Sequence, residues 1–234
     1  MSATLEDAAD FVIVGSGAGG ATAARVLSAA GHSVIVLEEG PSLLPSQRSR
    51  ALLPAMDEGM RDMATVATNG RTPIPLLMGR CVGGSTAINS GIIWRMPEDV
   101  QHDLRTRLGL TDLLEPTALE RCFDQIEADL GVAAVRDEVL GGNAERLRAG
   151  SEALGLAGQP IRRNARGCQG SARCLQGCPT GARQSMDVSY LPDAVRNGAR
   201  IHALSRVQRV LFERGRAVGV SGERLDDTTR TPIG

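Results

Sequence analysis

The sequence predicts an α/β fold built around a parallel sheet, and three observations carry that prediction. An apolar run, a glycine turn and a helix-prone stretch follow one another in DFVIVGSGAGGATAARVLSAAGHSVIVLEEG, residues 10–40. A second glycine cluster, GRCVGGSTAINSG, occupies 79–91. A partly alternating run, RIHALSRVQRVLFERGRAVGV, begins at residue 200. The chain of 234 residues is long enough for one large domain or two small ones. Apolar residues make up 42% and aromatics 2%, so the core must consist mainly of Ala, Val, Leu and Ile.

Phe11–Val14 reads as a short buried parallel strand. Gly15, Gly17 and Gly20 then form G-x-G-x-x-G. Gly15 permits the tight turn, Gly17 lets a diphosphate approach the backbone, and Gly20 lets the helix pack closely on the strand. Ala21–Ala30 reads as that helix, whose N-terminus offers unpaired N–H groups and a positive dipole end. A second strand, His32–Leu37, ends in Glu38, where a carboxylate can accept hydrogen bonds from ribose hydroxyls. The pattern predicts a dinucleotide site. In the second cluster, Ser85 reads as a helix N-cap and Asn89 as a residue on the same face of that helix.

Residues 97–160 read as amphipathic helices and connections, with Leu119, Phe123, Ile126 and Leu130 at helical spacing and Cys122 beside that stripe. No chemistry is assigned to them, nor to His32 or His102. SYLPDAVRNGA predicts a short helix stopped by Gly198. The run from residue 200 reads as two or three strands in a small antiparallel meander with a turn at ERG. The last twelve residues, polar and without pattern, are expected to fray.

A net charge of −1 leaves no field to attract nucleic acid. No apolar stretch reaches the length of a membrane span. The acidic start is unlike a signal peptide, and five thinly spread cysteines fit a reducing cytoplasm.

The motifs VIVGSGAGG…VLEEGP, GRCVGGSTAINSGIIWR and GARQSMDVSYLPDAVRNGARIHALSRVQRVLFERGRAVGV, in that order, resemble the glucose–methanol–choline (GMC) oxidoreductases. The resemblance implies a Rossmann-like FAD-binding domain and a flavin-dependent oxidation of an alcohol CH–OH group. It places Gly15, Gly17 and Gly20 at the FAD pyrophosphate and Glu38 at the adenosine ribose. Ser85 and Asn89 fall near the flavin diphosphate and ring, and Val207 on a strand whose main chain contacts adenine. Some relatives tether their flavin through a histidine; Met78 stands there, which implies non-covalent FAD. The FAD-binding core is expected at about 10–40, 75–95 and 181–222, with a helical and Cys-loop insertion at about 97–180.

The family's catalytic histidine belongs to a C-terminal region that this sequence does not match, so no residue is assigned to catalysis, and His202 is a poor substitute. The chain is accordingly expected to be an incomplete N-terminal portion, inactive alone, with an alcohol, an electron acceptor or a complementary C-terminal chain as partners. The alternative is a non-catalytic nucleotide-binding fragment, or half of a split dehydrogenase carrying an iron–sulfur cluster at its cysteine loop. A nicotinamide reductase shares only the first motif.

Cys168, Cys174 and Cys178 lie as C-x5-C-x3-C, with Pro179 following. Zinc would want a fourth ligand, a redox C-x-x-C is absent, and a disulfide disagrees with the compartment. An iron–sulfur cluster, which a branch of the resembled family carries on a similar loop, stays open. A structural loop of packed thiols is the preferred reading, so no metal ligand is assigned.

Overall fold

The computed structural model describes residues 6–229 and 231–232. In chain order the elements are β1 (Phe11–Val14), α1 (Ala18–Ala29), β2 (Val34–Leu37), α2 (Leu52–Gly59), α3 (Glu98–Leu108) and α4 (Pro116–Leu130). Then come β3 (Val132–Ala134), α5 (Gly142–Ala153), β4 (Arg162–Asn164), α6 (Tyr190–Arg196), β5 (Arg200–His202), β6 (Ser205–Glu213) and β7 (Arg216–Arg224). They form two compact units: Met1–Ser90 with Ser171–Gly234, and Gly91–Gly170.

The first unit is Rossmann-like. Its parallel sheet has the order β1-β2-β5, with Val12 opposite Ile35 and Val36 opposite Ile201. β2 sits in the middle, and Val34 and Val36 are fully buried. Each such valine contributes roughly 1.5–3 kcal/mol of burial. Ala24 of α1, with Ala194 of α6 and Ala199 just before β5, closes the core against them. Small side chains let both helices approach the sheet closely, which is how a domain so poor in aromatics packs.

β1 departs from the sequence expectation. The apolar run predicts a buried strand, yet Phe11, Val12 and Val14 are 39%, 37% and 55% exposed. The cause is topological: among the described residues β1 pairs with β2 alone and forms an edge of the sheet. Apolar residues on both faces suit a strand with neighbours on both sides.

The run from residue 200 is no meander. β5 joins the parallel sheet, while β6 and β7 form an antiparallel hairpin. Its turn residues Arg214 and Gly215 both have positive φ, 50° and 79°, the backbone that a tight two-residue hairpin requires. The C-terminal stretch expected to fray is held through most of its described part. Leu225 is 2% exposed and its N–H donates to the Leu204 carbonyl at 2.8 Å. Asp226 Oδ1 accepts from the N–H groups of Thr228 and Thr229. Positions 230, 233 and 234 lie outside the described residues.

The second unit carries α3, α4, α5 and the β3–β4 ribbon. α4 begins at Pro116, which occupies its first turn, and Glu115 accepts from the N–H groups of Thr117 and Ala118. Gly131, at φ 59°, ends it. Of the predicted stripe, Leu130 is buried and Ile126 remains 36% exposed. Cys122 and His102 are exposed. Arg95 joins Glu120, Asp124 and Glu127, and Arg162 pairs with both oxygens of Glu127, at 2.7 and 2.8 Å.

Candidate cofactor site

The first glycine turn leaves β1 with Gly15 at φ 88°, and the Gly15 N–H donates to the Leu37 carbonyl at the end of β2. Gly17 caps α1 without any side-chain bond. The first N–H groups of a helix lack intrahelical acceptors, so the Gly17 end of α1 presents donors. A Cβ built on Gly17 would meet nothing within 4 Å, whereas one on Gly20 would stand 1.9 Å from the Gly15 carbonyl oxygen. Gly20 thus serves close packing of helix on strand, and the space beside Gly17 is open.

Glu38 leaves β2 at the same end of the sheet and is 7% exposed. Its Oε2 accepts from the Ser16 N–H at 3.0 Å and from the Ser16 hydroxyl at 2.6 Å, and its Oε1 accepts from the Gly40 N–H at 2.9 Å. Ser16 Oγ, fully buried, in turn accepts from the Gly83 N–H at 3.0 Å. One carboxylate therefore ties the first glycine turn to the second across 67 residues of sequence. Such charge-assisted bonds stabilise by roughly 1.5–3 kcal/mol each. The two turns also touch directly: a Cβ on Gly84 would lie 2.9 Å from Gly17 Cα.

Two expectations for the second turn need correction. Ser85 is not an N-cap. Gly83 caps a short 3-10 turn, Gly84–Ala87, that Ser85 sits inside, and Ser85 Oγ accepts from the Gly79 N–H at 3.0 Å. Nor does Asn89 share a helical face with Ser85, because the turn ends before it. The reason is backbone geometry. Gly83 and Gly84 both have positive φ, 94° and 54°, which winds one tight turn and cannot seed an α-helix. Both Ser85 and Asn89 are exposed. Val207 lies half-buried on β6 opposite Gly222.

Sequence reasoning missed the residues beneath this turn. Arg48 and Asp187, 5% and 7% exposed, form a buried ion pair. Arg183, 1% exposed, donates to the carbonyls of Ala87, Asn89 and Cys174, and so fastens the cysteine loop to the second glycine turn. Burial holds the Arg183 guanidinium below its ordinary value. No spacing rule flags a lone Arg in GARQS. Ser16 had a signal, since it sits inside the glycine motif, but its partner lies in the other cluster.

Among the described residues, no three His, Cys, Asp or Glu side chains converge as metal ligands. Cys174 and Cys178 belong to the first unit and Cys168 to the second, and all five cysteines are free thiols. Burial raises the Cys178 thiol, but the Thr180 hydroxyl and the N–H groups of Arg183, Thr180 and Ala182 outweigh it and hold the group below the usual value. Cys81, buried and deprived of such donors, is pushed up to about 12. His202 lies 3.2 Å from the Asp7 carboxylate, and His32 packs edge-on against Phe11 at the β1 edge.

No described helix is long and apolar enough to cross a membrane. A GMC oxidoreductase N-terminal domain model matches residues 9–233. The chain is 42% identical over 222 residues to an uncharacterized GMC-type oxidoreductase of Mycobacterium tuberculosis, covering 94% of this chain and 35% of that protein. It is 33% identical over 203 residues to the long-chain-alcohol oxidase FAO4B of Arabidopsis thaliana, covering 87% and 27%. An FAD-dependent oxidoreductase structure from Chaetomium thermophilum superposes with a TM-score of 0.58 at 16% identity, over 92% of this chain and 42% of the other. The chain thus spans about a third of the length of its M. tuberculosis relative. With the family model matching residues 9–233 of this chain and two glycine turns locked together at the mouth of a Rossmann-like sheet, this chain belongs to the GMC oxidoreductases and is a flavoprotein domain whose cofactor is FAD.

Proposed function

We propose that this chain holds FAD non-covalently and forms the cofactor-binding part of an enzyme that oxidises an alcohol CH–OH group. The observation that carries the reading is the pair of glycine turns, fastened by Glu38 and Ser16 with open space beside Gly17. The residues fit a diphosphate. Gly15 and Gly17 leave room for it, Gly20 keeps α1 against the turn, and the N-terminus of α1 supplies N–H donors. Glu38 stands at the end of β2, where a ribose would meet its oxygens, and Ser85, Asn89 and Val207 complete the cofactor contacts. Met78, half-way to open solvent at 39% exposure, offers no nucleophilic ring nitrogen, which supports a cofactor held without a covalent bond. FAD, when bound, supplies the hydride acceptor for alcohol oxidation.

The resemblance to a long-chain-alcohol oxidase supports an alcohol as substrate. The proton of that alcohol needs a base. His32, His102 and His202 are the histidines of this sequence, and none of them is bonded to the glycine turns. We assign the base to the parts of the relatives that this chain does not match. The unpaired edge of β1, apolar on both faces, supports a complementary polypeptide that docks there.

The test is a titration of the chain with FAD and with NADH, followed by flavin and nicotinamide fluorescence. One-to-one saturation with FAD and none with NADH is expected. Gly17→Ala should fold as the parent does, since its Cβ meets no atom within 4 Å, and should bind FAD at least about tenfold more weakly because the methyl enters the diphosphate space. Unchanged FAD affinity in that variant, or preferential NADH binding, would refute the assignment.

A further inference from the structure

The second unit contains a cavity of about 470 Å³ between α5 and the connector leading to β4. The volume lies within the roughly 300–1,000 Å³ range of small-molecule sites. Its apolar wall is Val139, Leu140, Ala144, Leu147, Leu156 and Ile161. α5 buries none of its residues, and Leu147 is 72% exposed although it faces this wall. A helix normally buries its apolar stripe; here the space behind the stripe is unfilled.

The lining restricts what fits. Among the described lining residues there is no Phe, Tyr or Trp, so a planar ring finds no partner for stacking. The lining carries two cations, Arg148 and Arg163, and one anion, Glu152. Arg148 and Glu152 stand one turn apart on α5, and Arg148 is bonded to Asp137 at 2.7 Å. Arg163 is itself engaged. An anionic head would meet Glu152 there, and a cationic head would meet Arg148 and Arg163. An uncharged polar head avoids that conflict and can bond to Ser151 or to either charged group, while the aliphatic wall accepts a flexible hydrocarbon chain.

We propose that this cavity binds the chain of an uncharged aliphatic alcohol. The site lies wholly within the second unit, and the proposal does not depend on FAD being bound.

The experiment is calorimetric titration of the whole chain with 1-hexanol, 1-octanol and 1-decanol, and with octanoate and octylamine. Saturable one-to-one binding is expected, tightening about fourfold for each added CH₂ that enters the cavity. The two charged ligands should bind more weakly than 1-octanol. Ala144→Phe, which fills the cavity, should abolish binding while FAD affinity stays unchanged. Leu147→Glu, at an exposed rim position that folding does not depend on, should weaken it strongly even if Ala144→Phe does not fold. Absence of saturable binding, no dependence on chain length, or binding that survives Leu147→Glu would overturn the proposal. The last result would place the alcohol elsewhere, for example on the open edge of β1, and leave the cavity to a polypeptide segment.

Discussion

Gly19 and Gly20 are neighbours in α1, and replacing each by alanine should have opposite effects on stability. Both are helical, so helix propensity alone favours either substitution by about 1 kcal/mol. At Gly19 nothing lies within 4 Å of the new methyl, and that gain stands. At Gly20 the methyl would lie 1.9 Å from the Gly15 carbonyl oxygen, 3.1 Å from the Gly15 carbonyl carbon and 3.2 Å from Ile13 Cγ2. The nearest atoms are backbone, so no rotamer change relieves the overlap, and helix and turn must separate by about 1 Å or more. Overpacking of this kind costs about 3 kcal/mol, the upper part of its usual range. Subtracting the propensity gain leaves Gly20→Ala destabilised by about 2 kcal/mol, against a stabilisation of about 0.5–1 kcal/mol for Gly19→Ala. At about 2–4 °C per kcal/mol for a chain of this size, the two melting temperatures should differ by roughly 5–12 °C. Thermal unfolding of the FAD-free proteins, followed by circular dichroism, measures the difference. Equal melting temperatures, or a Gly20→Ala protein that melts above Gly19→Ala, would show that the helix does not press on the first glycine turn as described.

Hydrogen bonds from Arg95 and then from Arg162 hold the Glu127 carboxyl at about 2, below its ordinary 4.5. A depressed carboxylate contributes above its unfolded value and loses that contribution as pH falls through its folded one, so the second unit should lose stability between about pH 4.5 and 2. Glu127→Gln should be less stable at neutral pH and flatter across that window; an unchanged acid profile counts against the pairing. Ultraviolet thiolate titration should assign the more acidic buried thiol to Cys178 and the most basic one to Cys81, with each step vanishing in the matching serine variant. Loss of the alkaline step in Cys178→Ser would reverse the assignment. Val14→Lys, at a position 55% exposed on the edge strand, should suppress self-association in light scattering without lowering the melting temperature, and undiminished association would locate the sticky surface elsewhere.

Much of this architecture could be read in advance because the informative residues act locally. Gly15, Gly20 and Glu38 belong to one strand–turn–helix–strand unit of about thirty residues, and spacing alone predicts their arrangement. The stripe Leu119, Phe123, Ile126 and Leu130 similarly predicts a helix, and all four lie on α4. What failed did so where the deciding partner is distant. Ser85 looked like a cap because serine before a helix-prone run normally is one, but two left-handed glycines wind the backbone into a tighter turn. The strand at 200–202 looked like part of a meander because it precedes a hairpin, yet it pairs in parallel with β2, more than 160 residues earlier in the chain. The apolar run 11–14 promised a buried strand, and whether its second edge is covered depends on a neighbour that no local pattern encodes.

Glu38 shows how the two kinds of information meet. The motif alone assigns it to a ribose, as though its carboxylate waited free for a ligand. A bare carboxylate at 7% exposure would be costly, and the fold does not leave it bare: three donors, from Ser16 and Gly40, already satisfy it. Each carboxylate oxygen can accept about two hydrogen bonds, so Oε1, with one donor, retains capacity for a ribose hydroxyl while Oε2 is filled. The same side chain can therefore set the distance between the two glycine turns before a dinucleotide arrives and still greet it. Ser16 is the indispensable intermediary, since its hydroxyl donates to Glu38 and accepts from Gly83, a relay that alanine cannot make and that glycine, at the same point of the motif, would omit. The acidic residue at the end of β2 thus acts on the whole mouth of the sheet, through Ser16, on residues that it never touches.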